Sequence, residues 1–514
     1  MLLFARRLRR PRTHRFLSPR PSRCVASIDR GVFLAKLGLR AFDDAEVRES
    51  FRLLDDGSGK GVDRAELRAR LERLVEGGSA EALAIVNKDD KPKLLYDDYR
   101  ANMIAYADKV DSRVNTLAVS FLATGASIGI IIPCMPLLVS ALSISSSEFG
   151  IIVSSFGLAK LVGNAPSAQY SDRQGRKSAM VLGLGVCSVG LLGFSLVEQF
   201  PHHAVPMLVS CRFLTGFGVS FFTAGAFNAL SDISTALNRA RSFALPMSFF
   251  QSGIAFGPAA GGFLVESVGI STTYALCGGA FMALTMVNRR FLTETASAQL
   301  LDSAKKGTEG GNPFKVAYNS WSSIMASNVK MNSILILNGA YWASLSAVQM
   351  VTLPLFLISP DHLAMSAGQI GSTFAFMSVC SVLSATPAAY VADKLLGKTK
   401  TIVMSGTLLA SAMAALPLVT THTELALCLL PFSVASSMLQ NLPASHVGDI
   451  VDQKDRSQAL SLHRSVGDVG LMVGAAAGGM LVDSSSFATT IWLNSALFGT
   501  GTAIFAFRSL FRWK

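Results

Sequence analysis

The sequence has few charged residues, and six of its turns lack lysine and arginine altogether. Charged residues make up only 16% of the 514 residues, whereas 50% are hydrophobic. This balance excludes an ordinary soluble globular protein of this length. The turns without cations alternate with connections that contain them, and are residues 143–147, 197–205, 267–269, 359–365, 420–424 and 483–486.

Signatures of common enzymes are also missing. The sequence has no P-loop, so ATP hydrolysis is not expected to drive it, and it has no GxSxG or HExxH motif. We therefore expect no enzyme and no required cofactor. The seven cysteines are isolated and form no CxxC pair, so we expect small core residues rather than disulfides or metal ligands.

Twelve apolar segments of membrane-spanning length follow one another from about Val114 to Phe507. A spanning helix needs about 20 apolar residues, so the sequence predicts an all-α multi-pass membrane protein. Cationic loops stay on the side from which insertion occurs, so both termini are predicted on the cytoplasmic side or its organellar equivalent. The net charge of +12 sits in those loops and the N-terminus, without interleaved aromatic residues. Nucleic acid is therefore not an expected partner.

The first 28 residues form a basic N-terminal arm. They carry eight arginines before the first acidic residue, Asp29, a composition typical of a mitochondrial or plastid transit peptide. An arm lying against anionic lipid is the alternative. An organellar inner membrane and a plasma or vacuolar-type membrane both stay open as locations.

Residues 40–108 are polar and predict a small helical soluble domain. Residues 51–67 and 87–103 each resemble an EF-hand calcium loop. Lys60 and Lys91 stand where such a loop needs a glycine and an oxygen ligand, so calcium binding is only a secondary expectation. The alternative is a calcium-free module that docks on the inner loops. The candidate ligands are Asp55, Asp63, Glu66, Asn87, Asp89 and Asp98.

Residues 109–290 and 331–507 repeat each other as two halves of six helices, joined by a polar inner linker at 291–330. Glu148, Gly150 and Asp172 match Gln369, Gly371 and Asp393, at offsets of about 215–221 residues. Tandem six-helix repeats in parallel orientation are a recurring plan of membrane transporters.

Several motifs in these halves resemble those of the major facilitator superfamily. Residues 168–177, AQYSDRQGRK, match that family's inner-loop signature, and residues 389–400 hold a weaker copy. Arg212, Gly216 and Gly218 give its RxxxGxG pattern, and residues 253–262 resemble the antiporter signature of its drug:proton branch. The resemblance implies a twelve-helix fold of two six-helix pseudo-repeats and a secondary active transporter working by alternating access.

The same resemblance implies gates at the inner ends of the helices. Asp172 is expected to meet the start of the eleventh predicted helix near Arg456, where a helix N-terminus favours a carboxylate. The expected gating residues are Asp172, Arg173, Gly175, Arg176, Lys177, Asp232, Arg241, Asp393, Lys394, Asp449 and Arg456.

The fifth predicted helix carries closely spaced small residues. Gly253, Gly257 and Gly261 share one helical face and allow close backbone approach, and Pro258 removes one hydrogen bond. Either close packing or a hinge between the halves follows from this spacing. The candidate hinge or packing residues are Gly253, Gly257, Pro258, Gly261 and Gly262.

Four ionisable residues lie within predicted spans, where charge is costly and points to function. They are Lys160, Arg212, Arg464 and Asp468. Lys160 and Asp468 each lie twelve residues outward from an inner boundary, so at 1.5 Å per residue both sit about 18 Å deep. We hypothesise that Asp468 pairs with Lys160 or Arg464 and that its protonation loosens the pair during transport. The alternative is a static ion pair.

Polar or aromatic residues on otherwise apolar helices are the candidates for a central cavity. A mostly apolar cavity suits a lipophilic or cationic small molecule better than a sugar. The candidates are Asn228, Gln251, Asn338, Tyr341, Trp342, Gln349 and Gln440.

The preferred function is a secondary active, proton-coupled transporter of small organic molecules. It is expected as a monomer in the lipid bilayer, with the small molecule and protons as partners. An organellar metabolite carrier or uniporter is one alternative. A calcium-responsive membrane sensor or scaffold without transport is another.

Overall fold

The computed structural model describes residues 30–39, 42–55, 61–74, 79–235, 237–296, 321–326, 329–451 and 456–510. The basic arm and the centre of the predicted linker lie outside the described residues. The chain forms two compact units, one up to Ala107 and the other from Asp108 onward.

The first unit is a small helical domain with a two-stranded ladder. Its helices are α1 (Arg30–Lys36), α2 (Asp44–Leu54), α3 (Arg64–Leu74), α4 (Ser79–Val86) and α5 (Tyr96–Asp108). Strands β1 (Val62–Asp63) and β2 (Lys93–Leu94) pair antiparallel, with Val62 opposite Leu94. A core that includes Phe33, Leu54, Leu67 and Tyr99 holds the helices together.

The first half of the second unit contains six long helices. Their side chains are mostly apolar and their backbone groups bond internally, as a spanning segment requires. These helices are α6 (Arg113–Ala141), α7 (Ser146–Gln174), α8 (Arg176–Ser195), α9 (Ala204–Ile233), α10 (Arg239–Val268) and α11 (Ile270–Phe291).

The second half repeats this plan. Its first helix contains a π-helical stretch at Ser346–Thr352, just before Pro354, whose ring nitrogen cannot donate a helix hydrogen bond. The helices are α12 (Val329–Ile358), α13 (Ala367–Tyr390), α14 (Lys398–Ala415), α15 (His422–Ile450), α16 (Arg456–Ser484) and α17 (Phe487–Leu510).

Eleven helices in the described residues are long and apolar enough to cross a membrane. The other long helix, α10, has 30 residues, but Gln251 and several serines and glycines lower its hydropathy. The predicted all-α architecture of two six-helix halves is confirmed.

The halves meet mainly through two helix pairs, α7 with α16 and α10 with α13. We call the helix ends at the cationic connections inner ends and the opposite ends outer ends, following the predicted orientation. Each half has its own buried core, one that includes Phe121 and Phe222 and the other Phe374 and Phe432.

Candidate functional site

A buried arginine organises the inner end of the first half. Arg176 begins α8, and its Nε donates to Asp232 Oδ2 at 2.9 Å. Its Nη1 lies 3.2 Å from Asp172 Oδ1 and 3.1 Å from the carbonyl oxygen of Ser171. One guanidinium therefore joins the ends of α7, α8 and α9, a task suited to its planar fork of donors.

Glu294, which follows α11, caps the same helix. Its carboxylate accepts the backbone N–H groups of Arg176 at 2.9 Å and Lys177 at 3.1 Å. Negative charge is favourable at a helix N-terminus. Gly175 makes the turn with φ of +99°, and a Cβ there would lie 2.4 Å from Glu294 Oε2. Glycine at this position serves both the turn and the cap.

The second half has a simpler version of this cluster. Lys398 Nζ lies 2.7 Å from Asp449 Oδ2, and these residues are the repeat counterparts of Arg176 and Asp232. Lys394 is exposed, as is Arg173 in the first half. The side chains of Asp393 and Arg456 lie outside the described residues, so the expected contact between Asp172 and Arg456 stays a prediction.

Arg241 lies apart from the Arg176 cluster. Its guanidinium contacts the carboxylate of Asp108, whereas Asp232 is bound by Arg176 and by the hydroxyl of Thr295 at 3.2 Å. Arg241 and Asp232, both among the expected gating residues, therefore have separate partners.

An ion pair joins the two halves near mid-depth. Lys160 Nζ on α7 lies 2.6 Å from Asp468 Oδ1 on α16, and the two side chains are 29% and 12% exposed. Asn164, one turn along α7 from Lys160, lies 3.4 Å from Asp468 Oδ2. Of the two pairings that the sequence allowed, the structure has the one with Lys160; its role in coupling stays a prediction.

The two intramembrane arginines contact aromatic rings. Arg464 lies 5.6 Å from the ring centroid of Phe227, across the two halves. Arg212 lies 5.4 Å from the ring of Phe156, and its buried Nε has no hydrogen-bond partner among the described residues. These contacts are cation–π interactions, which gain strength in a desolvated setting.

The small residues of α10 fit against neighbouring backbones. A Cβ on Gly253 would lie 2.3 Å from the carbonyl oxygen of Leu122, and one on Gly257 would lie 2.8 Å from the Cα of Gly129. Gly261 approaches Ile130 of the same helix, α6, whereas Gly262 approaches Ala367 of the other half. Close packing is present at each, and the hinge role stays a prediction.

The predicted cavity residues fall into different surroundings. Asn338 and Tyr341 are buried in the second half, where Asn338 donates to the carbonyl of His463 at 2.7 Å and Tyr341 bonds Ser436. Asn228 donates to Ser171 at 3.2 Å near the inner cluster. Trp342 lies against Gly467. Gln251 and Gln440 are exposed and Gln349 is half-buried, and their cavity role stays a prediction.

In the second EF-hand-like loop, the ammonium group of Lys91 is bound to one of the candidate calcium ligands. Lys91 Nζ lies 2.6 Å from Asp98 Oδ1, and Asn87 Oδ1 accepts the backbone N–H of Lys91 at 3.0 Å. In the first loop, Glu66 pairs with Arg70 at 2.5 Å. No group of three metal-ligating side chains occurs among the described residues, and Asp55, Asp63 and Asp89 form none.

Sequence reasoning did not single out Glu294, Asn164 or the buried His463. Asn164 could have been found, since it lies four residues from Lys160 on the same helical face. Glu294 gave no such signal because it lies in a polar stretch without periodicity.

Two repeated six-helix halves, joined at mid-depth by an ion pair, define a multi-pass α-helical membrane protein. The family model described as the Major Facilitator Superfamily matches residues 117–359 and 336–512, and the chain belongs to that superfamily. The predicted family is thus confirmed.

The chain is similar to two curated bacterial proteins over part of its length. It is 26% identical to multidrug resistance protein 2 of Bacillus subtilis over 188 residues, which cover 37% of this chain and 46% of the relative. It is 27% identical to the quinolone resistance protein NorA of Staphylococcus aureus over 139 residues, covering 27% and 34%. The match spans less than half of either relative.

Solved structures with the same fold match most of the chain. A bacterial homologue of the human lysosomal transporter Spinster, inward-facing and occupied, superposes with a TM-score of 0.62 at 12% identity, covering 78% of this chain and 98% of that one. The nucleoside transporter NupG gives 0.62 at 13% identity, covering 79% and 100%. At these identities the likeness concerns the fold alone.

Proposed function

We propose that this protein is a secondary active transporter that moves a small organic molecule by alternating access, coupled to protons. Membership of the superfamily and the two-half architecture support the transport class. The observation that carries the coupling is the contact between Lys160 and Asp468, since it is an ion pair between opposite halves near mid-depth.

The chemistry of this pair suits a proton switch. Protonating Asp468 removes the negative charge that holds Lys160, and so weakens a bond between halves that must separate in a transport cycle. A ligand or proton shifts a conformational equilibrium by its differential affinity for the two states. The proton would favour the state in which the pair is broken.

The curated relatives support a lipophilic substrate. Their names record resistance to multiple drugs and to quinolones. We propose a lipophilic, cationic or zwitterionic compound of small size, carried through an integral membrane of the cell or of an organelle.

The test is solute movement in sealed proteoliposomes with an imposed pH gradient. The probes are a lipophilic cation and a quinolone, with Asp468→Asn as the test variant. Glu198→Gln is the matched control, because Glu198 lies in an outer turn and bonds Ser271 within the first half. We expect gradient-driven movement that Asp468→Asn abolishes and Glu198→Gln keeps. Equal gradient-driven movement in Asp468→Asn and the unsubstituted protein would overturn the coupling, and no movement of any probe would count against this substrate class.

A further inference from the structure

The outer ends of the two halves are joined by two carboxylates. Asp483, near the end of α16, accepts the backbone N–H groups of Ser146 at 3.1 Å and Ser147 at 2.7 Å, which begin α7. Glu266, near the end of α10, accepts the backbone N–H of Gly368 at 2.7 Å and the hydroxyl of Ser366 at 2.8 Å at the start of α13. In each contact, the carboxylate belongs to one half and the helix start belongs to the other.

These contacts complete the caps of two helices. The first N–H groups of a helix have no partner within it. Ser145 and Glu148 form a capping box at α7, and Ser366 and Gln369 form the same box at α13. A capping box satisfies the cap and third positions. The carboxylate from the opposite half accepts backbone N–H groups that the capping box leaves unpaired.

The arrangement repeats with the pseudo-symmetry of the fold. Ser366 follows Ser145 by 221 residues, and Asp483 follows Glu266 by 217. Both halves thus supply one capped helix start and one capping carboxylate. The same capping contact therefore occurs twice, once at the α7–α16 pair and once at the α10–α13 pair.

Glycines beside the caps bring the backbones into contact. A Cβ on Gly479 would lie 2.1 Å from the carbonyl oxygen of Ser146, and one on Gly150 would lie 2.5 Å from that of Ala475. At the other interface, a Cβ on Gly262 would lie 2.5 Å from the carbonyl of Ala367, and one on Gly371 would lie 2.4 Å from that of Pro258. The caps lie where these glycine contacts hold the outer ends of the two halves together.

The inner ends hold no such pair among the described residues. There Arg176 binds Asp172 and Asp232 within the first half, and Lys398 binds Asp449 within the second. Charged contacts between halves in the described residues lie at mid-depth and at the outer ends. The two cross-half caps thus lie at the outer ends.

We infer that Glu266 and Asp483 are outer-gate residues, which hold the outer ends closed by capping a helix of the opposite half. Opening the outer side separates each carboxylate from its helix N-terminus and leaves both in water. A carboxylate is stabilising at a helix N-terminus, so each contact biases the protein toward the outer-closed state. The inference rests on the proposed alternating access.

The experiment measures the gate without a substrate. Spin labels at Phe200 and Leu418, which are exposed at the outer ends of the first and second halves, report the outer distance in a protein whose seven native cysteines are replaced. Labels at Leu237 and Leu396 report the inner distance. The test variants are Glu266→Gln, Asp483→Asn and the double variant, in lipid nanodiscs.

We expect each single substitution to raise the ratio of outer-open to outer-closed protein about fivefold, and the double about 25-fold because both caps break in one transition. The outer distance lengthens while the inner distance shortens. Loss of structure would instead broaden both distance distributions. Asp483→Glu and Glu266→Asp keep the charge and are expected to restore the closed distribution.

Two carboxylates of the same outer side serve as matched controls. Glu198 bonds Ser271 within the first half, and Glu424 caps its own helix through Thr420 and Thr421 within the second. Glu198→Gln and Glu424→Gln should leave both distances unchanged. Test variants that match these controls would overturn the inference.

The measurements distinguish a failure of the outer-gate inference from a failure of the proposed function. Variants that open the outer side in a protein that transports no probe would leave the gate intact and remove support for the proposed substrate class. Variants that leave the distances unchanged in a protein that transports a probe would overturn the gate alone.

Discussion

The ammonium of Lys160 lies 2.6 Å from a carboxylate oxygen of Asp468, and the two residues belong to opposite halves of the bundle. Asp468 is more buried than Lys160, so the carboxylate depends more on its partner than the ammonium does. Removing one member of a poorly hydrated pair leaves the other charge without compensation. The pair therefore predicts unequal effects of single and double substitutions.

Lys160→Met is expected to lower the free energy of unfolding by roughly 1–3 kcal/mol, because Asp468 then stays partly buried without its cation. Lys160→Met with Asp468→Leu removes both charges and should recover most of that loss. Denaturant or thermal unfolding of the purified protein, with both variants in parallel, measures the difference. A double variant less stable than Lys160→Met would contradict a direct interaction.

Arg176→Lys is expected to weaken the inner cluster even though it keeps the positive charge. An ammonium cannot reproduce the separate contacts of Nε with Asp232 and Nη1 with Asp172. The expected loss of stability is about 1–3 kcal/mol. Arg173→Lys is the matched control in the same loop, since Arg173 is exposed, and its effect should stay within about 0.5 kcal/mol. Equal effects of the two substitutions would count against the cluster.

Features that depend on the membrane were predictable from the sequence. Apolar run length predicted the spans, and repeat offsets predicted the two halves. The common depth of Lys160 and Asp468 predicted that they could meet, because depth along a helix follows from residue count.

Features that depend on the rotation of a helix were not predictable. A helix that is apolar all round gives no direction for its polar side chains. Asn338 and Tyr341 are predicted to line a cavity; in the structure they bond neighbours inside the second half, and their cavity role stays a prediction. The cap that Glu294 gives to α8 joins residues 117 and 118 positions apart, and no local pattern marks such a contact.

Gly257→Ala is expected to disturb the packing of α10 on α6. Its new Cβ would lie 2.7 Å from the carbonyl oxygen of Ala126 and 2.8 Å from the Cα of Gly129, so a backbone must move. Overpacking of this kind costs about 1–3 kcal/mol. Gly279→Ala is the control, since a Cβ there meets nothing within 4 Å. Thermal unfolding compares the two, and a Gly257→Ala variant as stable as Gly279→Ala would show that the helices can shift freely.

The N-terminal unit is expected to bind no calcium at the affinity of a sensor. Calcium at the second loop would have to displace Lys91, whose ammonium is bound to Asp98. The hydrogen bond from Lys91 to Asp98 raises the pKa of that ammonium, so it stays positively charged at neutral pH and repels a divalent ion. Sensor sites bind calcium at about 10⁻⁷–10⁻⁵ M. Calorimetric titration of the full-length protein should show no saturable heat in that range, and none in Asp98→Asn, which removes one candidate ligand. Saturable heat in the unsubstituted protein that Asp98→Asn abolishes would show that calcium displaces Lys91 and would restore a regulatory role for this loop.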